Sequence, residues 1–396
     1  MFLRILYLGP FRFPEGDAAA SRVLNNARLF RDLGHSVHIL SFGWNYREED
    51  KIDGDYKYDG ITYTITNDID THSWKERLLR YTYPNPNAIK IISKKILYFD
   101  VVVSYNTTLQ MNLYLQWICK KYNKKLVLDL TEWPEANETP GGKWCPIYWM
   151  SECNMRWAQK RFKNLIPIST YLNKYYSDSN NLLLPPLINI HDSKWNNFSK
   201  IELPVLNNFE GIRIIYAGTP AKKDLLGNLI KALLRVLKEN QKIQLVVAGV
   251  TFEQSLSFCL RESYEKYNNN FVFLGRIPQA LVPSYYHISD FSAIIRQPSR
   301  KNMAGFPTKM AESMAAGCPV FMNETSDLGQ YAKDGKNAIV IKDYNKESIE
   351  AGLRRVLGLS KEKINEMKSI ARSVGKSKFD YRSYYSMTEE YINSLE

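Results

Sequence analysis

Short apolar runs alternate with amphipathic helical stretches along nearly the whole chain. The first block opens with Leu3–Leu8, an apolar run that ends at Gly9-Pro10. A polar loop, Phe11 to Asp17, leads to Ala18–Leu33, where Val23, Leu24, Ala27, Phe30 and Leu33 share one helical face. Gly34 suits a helix stop, and Val37–Phe42 is a second apolar run. Strand, loop, helix and strand in that order predict a βαβ unit. Such a unit commits the chain to a parallel sheet with helices on its faces.

The alternation continues and then begins again. Strands are expected at Ile61–Ile65, Asp100–Ser104, Lys125–Leu130 and Leu165–Ser169, and helices at Leu109–Lys121 and Glu152–Phe162. The polar stretch 191–208 reads as a linker. Beyond it come strands at Ile212–Tyr216, Ile243–Ala248, Phe271–Leu274, Phe291–Ile295, Pro319–Met322 and Ala338–Ile341. Helices are expected over Asp224–Lys238 and 308–316, and more helix closes the chain. With 396 residues and roughly 150 per domain, two α/β domains result. Open sheets of this kind bind ligands at the carboxyl ends of their strands.

Charge narrows the ligand. Lys and Arg number 53 against 41 Asp and Glu, a net charge of +12. Each half of the chain carries +6, with no basic tail and no arginine-rich block, which argues against a nucleic-acid arm. Anionic substrates or an anionic membrane surface remain. The five cysteines form no CxxC pair and have no histidine at zinc spacing, so reduced packing thiols are expected. No apolar run approaches the roughly 20 residues of a membrane span, and a secretory cleavage pattern is missing. A cytoplasmic chain is expected, touching a membrane only at its inner surface. Asp53-Gly54-Asp55 and Asp68-Ile69-Asp70 match a metal-binding Asp-x-Asp pattern, but both lie in polar, turn-like surroundings, and no metal site is expected. His35 and His38 flank the second strand and read as structural.

Two stretches can carry chemistry. Ala217-Gly218-Thr219-Pro220-Ala221-Lys222-Lys223-Asp224 joins a strand to a helix. Gly218 allows a tight turn, and Lys222 and Lys223 stand at the helix mouth, where free N–H groups favour an anion such as a diphosphate. A solvated basic turn with Asp224 as N-cap is the other reading. The second stretch runs from Arg296 to Pro319. Arg300 and Asn302 precede Gly305-Phe306-Pro307-Thr308, and Lys309 and Glu312 share a helical face. They form either an exposed pair or a site in which Lys309 takes a phosphate and Glu312 the two hydroxyls of a ribose.

The order and spacing of these motifs resemble family 4 glycosyltransferases over nearly the whole chain. The carriers are Leu8-Gly9-Pro10, the Gly16 loop and Leu33-Gly34-His35-Ser36-Val37. Further on they are Phe273-Leu274-Gly275-Arg276-Ile277-Pro278, the Glu312 helix with Ala315-Ala316-Gly317-Cys318-Pro319-Val320, and Asp334-Gly335-Lys336-Asn337-Ala338. The resemblance implies the GT-B fold, two facing Rossmann-like domains with a cleft between them. Residues 1–190, completed by a C-terminal helix at 379–396, would form the acceptor domain. Residues 209–378 would form the nucleotide-sugar domain. It also implies retaining transfer from a nucleoside-diphosphate sugar, without metal or other cofactor, in a polysaccharide-assembly subgroup. Gly16 would let its loop approach the phosphates or sugar.

Three positions depart from that family. Ala304 stands where its first glutamate would contact the donor sugar, with Asn302, Lys309 or Glu132 as substitutes. Thr219 replaces an arginine, and the neighbouring lysine moves to Lys222 or Lys223. Thr131 replaces a cleft histidine; next to it, Glu132 and Glu135 read as carboxylates placed around a cleft. The expected acceptor is a glycan or lipid-linked glycan of bacterial surface polysaccharide. The basic region 72–98, with Trp74, Leu78, Leu79, Tyr81 and Tyr83, is either a solvated face or a rest on anionic lipid. A non-hydrolysing nucleotide-sugar epimerase and a non-catalytic nucleotide-sugar binding subunit are the alternatives. Epimerisation of free donor without an acceptor distinguishes the first, and donor binding without transfer the second.

Overall fold

The computed structural model describes residues 2–14, 16–43, 54–66, 83–138, 141–198, 209–220 and 224–396. The chain divides into two compact units. The first comprises Met1–Ile188 with Tyr381–Glu396, and the second Asn189–Asp380.

The first unit is built on strands β1 (Arg4–Gly9), β2 (Ser36–Ser41), β3 (Asp55–Tyr58), β4 (Ile61–Ile65), β5 (Val101–Tyr105), β6 (Lys125–Leu130), β7 (Asn164–Pro167) and β8 (Asn180–Asn181). Their order is β3-β4-β2-β1-β5-β6-β7-β8. Only β3 runs antiparallel, against β4. The central strands are covered on both faces, so they read as unbroken apolar runs such as Val101-Val102-Val103. Helix Ala18–Asp32 is started by Asp17, whose carboxylate accepts from the N–H groups of Ala19 and Ala20. The last residues return to this unit: Tyr381, Tyr391, Ile392 and Leu395 lie in the same core as Leu3, Ile5 and Val23.

One expected helix is displaced. In place of a single helix over Glu152–Phe162, a helix spans Pro146–Cys153, a wider π turn follows at Asn154–Ala158, and a 3-10 turn at Gln159–Arg161. Pro146 suits a first turn. The widened turn falls where buried Asn154 accepts from Asn112 (2.9 Å) and donates to the Thr107 carbonyl (3.0 Å).

The second unit holds β9 (Ile212–Ala217), β10 (Ile243–Ala248), β11 (Phe271–Gly275), β12 (Phe291–Ile294), β13 (Val320–Asn323) and β14 (Ala338–Ile341). They are all parallel in the order β11-β10-β9-β12-β13-β14. The strand order reverses between β9 and β12, and such a switch point opens a crevice at the strand ends. Helix Leu226–Val236 covers one face with Leu226, Leu229, Ile230, Leu233 and Val236. Helix Lys361–Lys378 crosses helix Thr308–Ala315 so closely that a Cβ on Gly375 would stand 2.6 Å from backbone atoms of Met314 and Ala315.

Candidate functional site

Of the expected donor residues, Gly218, Arg296 and Lys309 lie together near the strand ends at the switch point of the second unit. Strand β9 ends at Ala217, and Gly218 follows at φ +129°, a conformation that favours glycine. A side chain at Gly249, the residue after β10, would strike the Gly218 carbonyl at 2.6 Å. Two glycines thus keep this strand end bare.

Asp224 closes the turn after β9. Its side chain is 5% exposed and accepts three charged or polar donors. Arg296, at the end of β12, donates from Nε to Oδ1 at 2.7 Å. Lys309 donates from Nζ to Oδ2 at 2.7 Å, and the Tyr216 hydroxyl to the same oxygen at 2.9 Å. The Lys309 ammonium also lies over the Tyr216 ring, 4.2 Å from its centre. It stands 3.6 Å from the point where Gly218 would carry a Cβ. Burial opposes the Asp224 charge, but Lys309, Arg296 and the hydrogen bonds prevail and hold its carboxyl well below the usual range.

Asp224 is therefore not the N-cap of the following helix. That helix starts at Leu226, with Leu225 in the capping place. Arg296 is committed inward as well. Its guanidinium meets Asp224, while its N–H and C=O are clasped by the Asn323 side chain at 2.9 and 2.8 Å. Lys309 sits on the first turn of helix Thr308–Ala315, and half-buried Glu312 follows three residues later. Loss of water raises the Glu312 carboxyl pKa, and the charges of Lys194 and Lys309 partly offset this.

The segment before that helix is mainly structural in its contacts. Ser299 caps helix Arg300–Ala304 by accepting from the Asn302 N–H. Asn302 is buried and donates to the Gln297 carbonyl at 2.8 Å. Arg300 is half-buried. The Gly305 carbonyl accepts from the Ser326 hydroxyl. Phe306 packs against Tyr331 and Phe379, and Pro307 caps the Lys309 helix ahead of Thr308. Lys222 and Lys223 lie outside the described residues, as do Asp53, Asp68 and Asp70.

Gly16 and Glu132 belong to the first unit. A Cβ on Gly16 would meet the Arg12 Cβ at 2.8 Å. Glu132 is half-buried on the loop after β6. Beside it, Thr131 is held by Asn106, which accepts from the Thr131 N–H at 3.2 Å and donates to its hydroxyl. Beneath this loop, Asp129 is fully buried against Arg22, Asn26 and Tyr7. Of the basic region 72–98, residues 72–82 lie outside the described part. Tyr83 is exposed, and helix Pro86–Lys95 exposes Lys90 and Lys94.

Asp224, Tyr216 and Asn323 are the site residues that sequence reasoning missed. The one available signal was an acidic residue closing a turn with two lysines.

Residues 204–374 match the family model of glycosyl transferases group 1. No curated protein matches the chain. Solved structures do, at low identity and nearly full length. HepE of Anabaena in complex with UDP is 16% identical with a TM-score of 0.69, over 99% of this chain and 100% of that one. Sucrose-phosphate synthase of Thermosynechococcus elongatus is 12% identical with a TM-score of 0.73, over 99% and 98%. A trehalose-6-phosphate protein of E. coli bound with UDP-2-fluoro glucose is 11% identical with a TM-score of 0.71, over 99% of both chains. Among the described residues, no helix is long and apolar enough to cross a membrane. The chain thus has the GT-B fold and is a glycosyltransferase, and its match to glycosyl transferases group 1 falls within the second unit.

Proposed function

We propose that the protein is a retaining, metal-independent transferase of the family 4 type. It moves a sugar from a nucleoside-diphosphate sugar to a glycan or lipid-linked acceptor in bacterial surface-polysaccharide assembly. The observation that carries this reading is the ammonium of Lys309, held beside the bare turn at Gly218 within the group 1 domain. Departure of a nucleoside diphosphate needs positive charge where the leaving oxygens gather, and a fixed ammonium with neighbouring N–H groups meets that need without a metal. Lys309, with Lys222 and Lys223, holds the diphosphate, and Glu312 accepts both ribose hydroxyls. HepE, a structural neighbour, has been seen with UDP, with UDP and glucose, and with UDP-glucose, which supports a nucleotide-sugar donor. The second unit serves the donor and the first the acceptor, with Glu132 on the acceptor side. The enzyme works at the cytoplasmic face of the membrane, resting its basic region 72–98 on anionic lipid.

The test is transfer from UDP-, GDP- and ADP-sugars to a lipid-linked glycan extract, with the product anomer read by NMR. Retained configuration and full rate in EDTA are expected. Lys309→Ala and Glu312→Ala should each lower the rate by about a hundredfold or more with unchanged circular dichroism. An inverted product, loss of rate in EDTA, or full rate in both variants overturns the reading. Sedimentation with anionic against neutral vesicles tests the membrane contact, and equal recovery with both removes it.

A further inference from the structure

We propose that Asp224 is a positioning residue for donor binding, setting the Lys309 ammonium in place before the diphosphate arrives. The inference rests on the donor reading above and extends it to a residue that touches no substrate. Three elements converge on this carboxylate: β9 through Tyr216, the end of β12 through Arg296, and helix Thr308–Ala315 through Lys309. Both oxygens are used, and one of them takes two donors. A lysine has four flexible side-chain bonds, and an ammonium left loose at the Gly218 turn would lose that freedom on binding. Asp224 and the Tyr216 ring order it in advance, which removes the loss from the binding step.

The charge matters as much as the geometry. Lys309 and Arg296 are two cations drawn onto one buried carboxylate, with side chains 11% and 6% exposed. Without that charge they repel each other in surroundings that screen poorly. Lys309 is the more flexible of the two and would swing away from Gly218. An amide at position 224 keeps the shape but not the attraction.

The experiment compares wild type, Asp224→Asn, Lys309→Met and the double variant. Calorimetry measures binding of UDP, GDP and ADP and of the matching monophosphates. Wild type should bind one diphosphate more tightly than its monophosphate. Asp224→Asn and Lys309→Met should each weaken that diphosphate by about tenfold or more, leave the monophosphate within about threefold, and fail to add in the double variant. If Asp224 merely holds the fold together, its variant weakens both nucleotides alike and adds to Lys309→Met, which overturns the inference. An unchanged diphosphate affinity in Asp224→Asn, with Lys309→Met weakened, also overturns the inference and spares the donor reading. No diphosphate binding by wild type, or an unchanged Lys309→Met, overturns both. Should Asp224→Asn not fold alone, Lys309→Met is compared with the double variant. In that pair one anion leaves after one cation, and equal affinities are expected. A further tenfold loss, by the same additivity argument, refutes the inference.

Discussion

Asp129 in the first unit faces the same physical problem as Asp224 in the second: a carboxylate shut away from water survives only if its oxygens are fully used. Arg22 approaches it at 2.7 Å and spends its remaining N–H groups on the carbonyls of Leu184 and Ile166. Breaking such a buried pair strands a charge, so Asp129→Ala should cost about 3–5 kcal/mol, read from urea unfolding. Replacing Arg22 and Asp129 together by apolar residues should recover most of that loss. His38 offers a pH handle on the same unit. Burial lowers its pKa to about 4, with Lys95 adding to the effect and Asp55 opposing it. The unfolded chain has an ordinary histidine, so below pH 6.5 it takes up a proton that the folded protein refuses. Stability is complete above about pH 6.5 and falls by about 3 kcal/mol as the pH drops towards 4, then levels off. His38→Gln should flatten that window in a series of thermal melts. The chemistry-bearing types were legible in sequence, since Lys309 and Glu312 share a helical face by simple periodicity. The partners of Lys309 were not. Asp224 lies 85 residues away, and no local spacing encodes that meeting.

At the scale of elements, strands and helices followed the apolar periodicity closely wherever one pattern ran without interruption. Helix Leu109–Lys121 and strand Lys125–Leu130 have the bounds expected from their sequences. The pattern misled where a polar side chain had a tertiary claim on it. Asn154 is drawn to Asn112 and Thr107, and the expected helix gives way to a π turn there. Asp224 is drawn to Lys309, and the next helix starts two residues late. The helix that carries Lys309 and Glu312 is set in place by its crossing with Lys361–Lys378, where the backbones come together at Gly375. A methyl group there must push the helices apart. Gly375→Ala should therefore cost about 1–3 kcal/mol in thermal unfolding and also lower transfer activity. A matched change on the exposed face, Lys376→Ala, should alter neither.

At the scale of the whole molecule, the chain leaves the first unit after Ile188 and re-enters it at Tyr381. The returning segment donates from the Tyr381 N–H to the Ile188 carbonyl at 3.0 Å, and the hydroxyls of Tyr381 and Tyr385 both reach Asp32. Ile392 and Leu395 lie in the first unit's core. Each such buried side chain contributes roughly 1.5–3 kcal/mol. Truncation after Asp380 should therefore lower or abolish the first unit's transition in scanning calorimetry. The second unit's transition should persist, because that unit spans Asn189–Asp380 and keeps its own core, Phe379 included, after the cut. The order of residues already sets the two runs of strand and helix, the turns at Gly218 and Gly34, and the residue types at the strand ends. These follow from side-chain periodicity and backbone freedom, which act over a few residues. Tertiary packing alone set which core side chains the returning helix meets, and that Arg296 and Lys309 share one buried aspartate. Packing of distant segments and desolvation of charge set those outcomes, and both depend on which surfaces come together in space.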